Sequence, residues 1–133
     1  MLKSAAEDPH VGLTQIAGHA AGLRLLVLYG SRARGDARPG SDWDLGYLAG
    51  SDFDPDAMLA VLADHLRADR VDLVDLATAT GQLRYQVARD GRVLFDGTGR
   101  DWSAFWMAAV GFWCDAGPVI TAAYADVLEE LGR

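Results

Sequence analysis

The chain reads as a single α/β domain, a small mixed β-sheet packed with helices and followed by a C-terminal helical appendage. Three observations predict this. Apolar runs of strand character, Leu23 to Tyr29 and Val71 to Leu76, alternate with stretches whose apolar residues recur at helical spacing. The 133 residues amount to about one domain, enough to bury a core without staples. Half of them are apolar and 23% are charged, which is ordinary globular usage and argues against a disordered chain.

Taken in order, Asp8-Pro9 gives an N-cap followed by proline at the first helical position. Leu13, Ile16, Ala17 and Ala20 then recur at helical spacing, and Gly22 is the stop. Leu23 to Tyr29 is nearly unbroken in its apolar character, which predicts a strand buried on both faces. Ser31 is expected to cap a short helical turn over Arg32 to Asp36, ended by Pro39-Gly40. Asp42 to Ala49 forms a second strand, bounded by Gly50-Ser51-Asp52.

Between Pro55 and Arg67, the residues Met58, Val61, Leu62, His65 and Leu66 make a helical apolar stripe, with Asp52, Asp54 and Asp56 suited to its start. Val71 to Leu76 is a third strand. Gly81 to Asp90 is a helix with Leu83 and Val87 inward and Gly91 at its end. Arg92 to Phe95 gives a short edge strand before the Asp96-Gly97-Thr98-Gly99 loop. That loop separates a core at about 8–97 from a helical extension at about 100–131, broken near Gly117-Pro118. Trp102, Phe105, Trp106, Ala109, Val110 and Trp113 share one face of its first half, and Ile120, Tyr124, Val127, Leu128 and Leu131 one face of its second.

Bulk properties exclude several function classes. No stretch approaches the roughly 18 apolar residues of a membrane span, and the first residues lack a signal-peptide layout, so no membrane role is expected. Cys114 is the only cysteine, which excludes an internal disulfide and suits a reducing cytoplasm. The net charge of −7 disfavours direct binding of a nucleic acid, since phosphate contacts need Lys and Arg.

The chemistry is carried by one spacing. Gly30-Ser31 closes the first strand, ten residues follow, and Asp42-Trp43-Asp44 opens the second. Residues two apart in a strand share a face, so Asp42 and Asp44 project together. Paired carboxylates raise each other's pKa, and bound Mg²⁺ relieves that repulsion. Asp72 opens the next strand and could reach the same metal; three carboxylates can hold two ions astride an α-phosphate. Gly30 admits close approach of backbone to phosphate, and the amides of the following turn with the Ser31 hydroxyl offer donors. Arg32 and Arg34 add positive charge nearby, or serve only as solvated surface.

The segment GSRARGDARPGSDWDLGYL, followed by VDLVDL and GRVLFDG, closely resembles the minimal nucleotidyltransferases of the polymerase-β-like superfamily. It is similar in particular to the MNT antitoxins of HEPN/MNT toxin–antitoxin pairs. The resemblance covers about Leu23 to Gly97 and implies the nucleotidyltransferase fold. It further implies that Gly30 and Ser31 bind the triphosphate and that Asp42, Asp44 and Asp72 bind Mg²⁺, with Asp72 helping to deprotonate the acceptor. The implied reaction moves AMP from ATP to a tyrosine of a partner HEPN ribonuclease. The chain departs from the pattern at Gly46 and Tyr47, where larger aliphatics are usual, which predicts a looser strand after Asp44.

Three choices stay open. Asp75 lies three residues from Asp72, hence on the other face, and is expected to face solvent or cap a turn. The acceptor could instead be a small molecule or an RNA end, or the chain could neutralise a toxin by occupancy alone. His10, His19 and His65 lack zinc-ligand spacing, His65 reads as a core-edge residue, and Cys114 reads as a small buried apolar group. The Trp-rich helix is expected to pack on the sheet, offer a protein interface, or do both with different faces.

Overall fold

The structure, a computed structural model, describes residues 9–114. The expected Asp8 cap and the second half of the helical extension lie outside the described residues. The elements run α1 (Pro9–His19), β1 (Leu23–Tyr29), α2 (Ser31–Arg34), β2 (Trp43–Ala49), α3 (Pro55–Leu66), β3 (Val71–Asp75), α4 (Gly81–Asp90) and β4 (Arg92–Asp96). Residues 101–114 are helical and form α5.

The four strands form one sheet in the order β3-β2-β1-β4. β1 pairs antiparallel with both β2 and β4, while β2 and β3 run parallel, so the sheet is mixed. β1 is central, and its side chains are buried from Leu25 to Tyr29. That is why its sequence is apolar without alternation: both faces are covered. Alternate residues feed two cores. Leu26, Leu28, Trp43, Leu45 and Tyr47 pack with Leu13 and Ala17 of α1 and Met58 and Leu62 of α3. Leu25, Val27, Tyr29 and Leu76 pack on the other side with Val87 and Ala88 of α4 and Phe105 and Ala109 of α5.

Local chemistry sets the ends of these elements. The Asp54 side chain accepts hydrogen bonds from the amides of Asp56 and Ala57, with Pro55 following, which fixes the start of α3. Thr80 accepts from the Leu83 amide and does the same for α4. Asp96 accepts from the amides of Gly99, Asp101 and Trp102, which ties β4 to the start of α5. Asp75 accepts from the Ala77 amide at 2.9 Å, the turn-capping role expected of it.

Several expectations are corrected. Ser31 is not a cap: Gly30 holds that position, no side chain caps α2, and the helix ends at Arg34 rather than Asp36. Val61 is half exposed and His65 is exposed, because α3 buries only Met58 and Leu62 fully. His65 instead lies across Gly12 of α1, where a Cβ would meet its ring. Gly46 does not loosen β2, since the Leu76 side chain fills the space over it, with Cδ2 2.8 Å from where a Cβ would stand. Cys114 is exposed, not buried.

The Trp-rich helix packs on the sheet along one side and exposes the other. Phe105 and Ala109 are buried and Trp102 and Val110 pack beside them. Trp113 stacks on Tyr85 of α4 with ring centroids 4.7 Å apart. Trp106 departs from the face that spacing predicts it to share with Phe105 and Ala109 and is 44% exposed, alongside Met107 and Phe112.

One ion pair anchors α5 to the sheet. Arg24 Nη2 lies 2.9 Å from Asp101 Oδ1, and Thr98 donates to the other carboxylate oxygen. The Arg24 hydrogen bond, with the Thr98 donor and the Arg24 charge, holds the Asp101 carboxyl below its ordinary value. A carboxyl depressed in the folded state stabilises above its unfolded pKa and stops doing so as pH falls through the folded one. Stability should therefore decline below about pH 4, and Asp101→Asn should flatten that part of the curve while costing up to about 1 kcal/mol at neutral pH. Thermal unfolding at stepped pH measures both; an unchanged acid limb in the variant would count against the pair.

Candidate active site

β1 delivers Tyr29 to the edge of the site and then turns through Gly30 into α2. Gly30 has φ 74° and ψ −158°, a region essentially reserved for glycine. A Cβ there would also collide with Asp44 Oδ2. Backbone conformation and close approach thus require glycine independently. The turn continues through hydrogen bonds from the amides of Ala33 and Arg34 to the Gly30 carbonyl, and from Gly35 and Asp36 to that of Ser31.

The strand register then assembles the acidic row. Tyr29 stands opposite Asp44, and Asp44 stands opposite Asp72. Trp43 and Leu45 belong to the core under α1 and α3, so Asp44 between them projects to the other face, the one Tyr29 shares. Asp72 follows by register. The parallel β2–β3 pairing is what makes two carboxylates distant in sequence direct neighbours. Asp42 precedes β2 and is half exposed, with Oδ2 3.8 Å from Nε of Arg70.

The electrostatics follow. Burial first, and then the Asp72 and Asp42 carboxylates, push the Asp44 carboxyl above its ordinary value, while Arg34 and Arg70 pull it back. Burial, with Asp44 and Asp72 adding to it, raises the Tyr29 hydroxyl to about 12, so it stays neutral beside the row. Asp44 is therefore a carboxylate whose charge its surroundings leave undercompensated.

Among the described residues, no group of three or more His, Cys, Asp and Glu side chains is gathered closely enough to hold a metal ion between them, so the expected convergence of Asp42, Asp44 and Asp72 is not formed here. Asp44 and Asp72 are in register, and Asp42 leans on Arg70. The donor set nevertheless suits a hard divalent cation: carboxylate oxygens on adjoining strands, one of them with a raised pKa that a cation would lower. A groove of about 670 Å³ opens elsewhere, between α1 and α3 near Ala21 and Phe53. It lies under the opposite face of the sheet and beyond the other ends of β1 and β2, and is unconnected with the acidic row.

The basic residues divide. Arg34 is exposed, forms an ion pair with Asp36 at 3.3 Å, lies 3.9 Å from Asp90, and its charge is felt at Asp44. Arg32 turns toward the 35–42 loop, donating to the Ser41 carbonyl. Sequence reasoning missed Arg70 and Tyr29. Arg70 precedes β3 as Asp42 precedes β2, but that signal speaks only once the two strands are known to be parallel neighbours.

Comparison with known proteins gives the family and the fold. The family described as polymerase beta, nucleotidyltransferase matches residues 13–98, more than half of the chain. The protein adenylyltransferase MntA of Aphanizomenon flos-aquae is 30% identical over 95 residues, 62% of this chain and 63% of that protein, so the match spans less than two thirds of the relative's length. A solved toxin–antitoxin structure with AMP-PNP is 25% identical with a TM-score of 0.66, covering 94% of this chain and 97% of that one. The fold is also that of a chain in the complex of tri-AMPylated Shewanella oneidensis HEPN toxin with MNT antitoxin, at 23% identity and a TM-score of 0.62 over 94% of this chain and 97% of that one. The same β1–Gly30 turn and carboxylate row lie within the matched span, and the chain belongs to the polymerase beta nucleotidyltransferase family.

Proposed function

We propose that the protein is an antitoxin that transfers AMP from ATP to a tyrosine of a partner HEPN toxin, releasing pyrophosphate. The observation that carries this is the Tyr29–Asp44–Asp72 register, which sets two carboxylates side by side next to a turn whose glycine leaves room for one of them. The similarity to a protein adenylyltransferase and to a toxin–antitoxin structure with AMP-PNP supports the choice of ATP and of a toxin as acceptor.

In this reading the backbone amides after Gly30 and the Ser31 hydroxyl grip the β- and γ-phosphates, with Arg34 adding charge. Asp42, Asp44 and Asp72 would hold Mg²⁺, two ions in all, and when bound these neutralise the triphosphate and polarise its α-phosphate. Asp72 accepts the proton of the tyrosine hydroxyl as its oxygen bonds to the α-phosphorus. The bond from that phosphorus to the pyrophosphate oxygen breaks, and pyrophosphate leaves. Without cations, the charge of Asp44 and its neighbours would repel the nucleotide's phosphates, so transfer in this reading depends on a divalent cation.

The test is transfer of α-phosphate label from ATP to a purified HEPN partner in the presence of Mg²⁺. Wild type should label the partner, and Asp42→Ala should reduce labelling about a thousandfold, the scale of several kcal/mol of lost charge stabilisation. Undiminished labelling would remove the metal assignment. Aminoglycosides and tRNA in parallel reactions separate protein from small-molecule or RNA acceptors.

A second reading, neutralisation by occupancy, has the exposed Trp106, Met107 and Phe112 in its favour, since such apolar surface marks interfaces. It requires that the Asp42/Asp44 double variant still suppress toxicity in cells.

A further inference from the structure

We propose that Arg32 is a positioning residue that fixes Asp42 in the acidic row, and not a phosphate ligand. This deepens the nucleotidyl-transfer reading and rests on it. The Arg32 guanidinium is engaged twice. Its Nη2 donates to the Ser41 carbonyl oxygen at 2.9 Å, and its central carbon lies 4.3 Å from the centre of the Trp43 ring. The Ser41 carbonyl belongs to the peptide that leads into Asp42, and Trp43 is the residue after it. Arg32 therefore grips the chain on both sides of Asp42.

Neither grip is loose. Trp43 is 6% exposed, and His10 of α1 meets its ring edge-on at 6.3 Å. Ser41 is itself tied down: its amide donates to the Arg38 carbonyl, and its hydroxyl accepts from the Arg38 amide at 2.8 Å. Arg32 Nε is buried without a hydrogen-bond partner, so the stem is packed in place rather than trailing in solvent. A planar guanidinium can stack on an aromatic ring and donate from its edge at the same time, which the compact ammonium of lysine cannot.

The site needs such an anchor. The segment between α2 and β2 is largely exposed and contains two glycines of positive φ, Gly35 and Gly40. Asp42 sits at its end, outside the strand ladder and half exposed. The Asp42 carboxylate itself has a long 3.8 Å ion pair with Arg70, and the strand after it is entered through the Trp43 amide, which donates to the Arg70 carbonyl at 3.2 Å; Arg32 adds the hold on the α2 side. Arg32 links the Gly30-Ser31 turn to the carboxylate on the far side of the loop, so that the two halves of the site keep one geometry.

The experiment compares wild type with Arg32→Met, which keeps the stem, and Arg32→Lys, which keeps the charge. Mn²⁺ binding in the presence of AMP-PNP is followed by electron paramagnetic resonance, AMP-PNP binding is measured without divalent cation, and transfer kinetics are run over a range of Mn²⁺. Both variants should bind Mn²⁺ about tenfold more weakly, the usual scale for residues that orient a metal ligand. Metal-free AMP-PNP binding should change less than about twofold, and added Mn²⁺ should restore the lost kcat. Equal Mn²⁺ affinity in all three proteins overturns the proposal. So does about tenfold weaker AMP-PNP binding in Arg32→Met with Arg32→Lys unaffected, which would make Arg32 a phosphate ligand. Thermal unfolding of both variants identifies any that fails to fold, and Arg32→Lys then carries the comparison. A wild type that binds Mn²⁺ and AMP-PNP but labels no partner would sink the transfer reading alone, because the metal arm still reports on Arg32.

Discussion

Asp44→Asn should lower AMP transfer by about a thousandfold or more and at the same time give a protein that melts at a higher temperature in EDTA. The two effects have one cause. Burial and the neighbouring Asp72 and Asp42 carboxylates raise the folded-state pKa of Asp44, so the fold works against its charged form. A carboxyl with a raised folded pKa lowers stability at pH values above that pKa, and the penalty fades as pH falls toward the unfolded value. Asparagine removes the penalty at neutral pH and with it, in the proposed mechanism, a metal ligand worth several kcal/mol in the transition state. If both effects are found, the site holds function at a cost in stability. Differential scanning calorimetry with and without EDTA, beside the labelling assay, measures both sides. A variant that is less stable than wild type without metal would contradict the electrostatic account. One that is active would contradict the catalytic account.

Gly30→Ala should do the opposite on stability and the same on activity. Its backbone lies where a Cβ costs about 1–3 kcal/mol, and the added atom would run into Asp44 Oδ2. The carboxylate is the softer of the two parties and would turn aside. That shift alone should cost on the order of a hundredfold in rate, as misplacement of a reacting group by about 1 Å does. The strain should lower the melting temperature by several degrees, since about 1 kcal/mol corresponds to roughly 4–8 °C in a small domain. Restored activity in a variant that still melts early would mean that Asp44 is not displaced. Wild-type melting would mean that the turn relaxes to accept alanine.

Much of the fold was legible because its signals are local. The apolar run of β1, the stripe at Met58 and Leu62, and the start of α3 at Pro55 each follow from spacing or capping within a few residues. The departures arose where a distant residue decided the outcome. Gly46 predicted a loose strand until Leu76 was found over it. Ser31 had the chemistry of a cap, but the conformation that only Gly30 can adopt moved the helix start by one residue. Val61 and Trp106 fit their stripes in sequence, yet each helix meets the sheet along a strip narrower than its apolar face.

By itself the sequence determined the alternation of strands and helices, the Gly30-Ser31 turn and the identity of the acids, because backbone preference and hydrophobic period act over short distances. Only the tertiary structure decided that β2 and β3 are parallel neighbours in a register that faces Asp44 with Asp72, that Arg70 stands at Asp42, and that Arg32 is turned onto Trp43 and Ser41. Those are contacts between segments whose pairing is chosen by the packing of two cores on opposite faces of one sheet, and no local property of either segment encodes it.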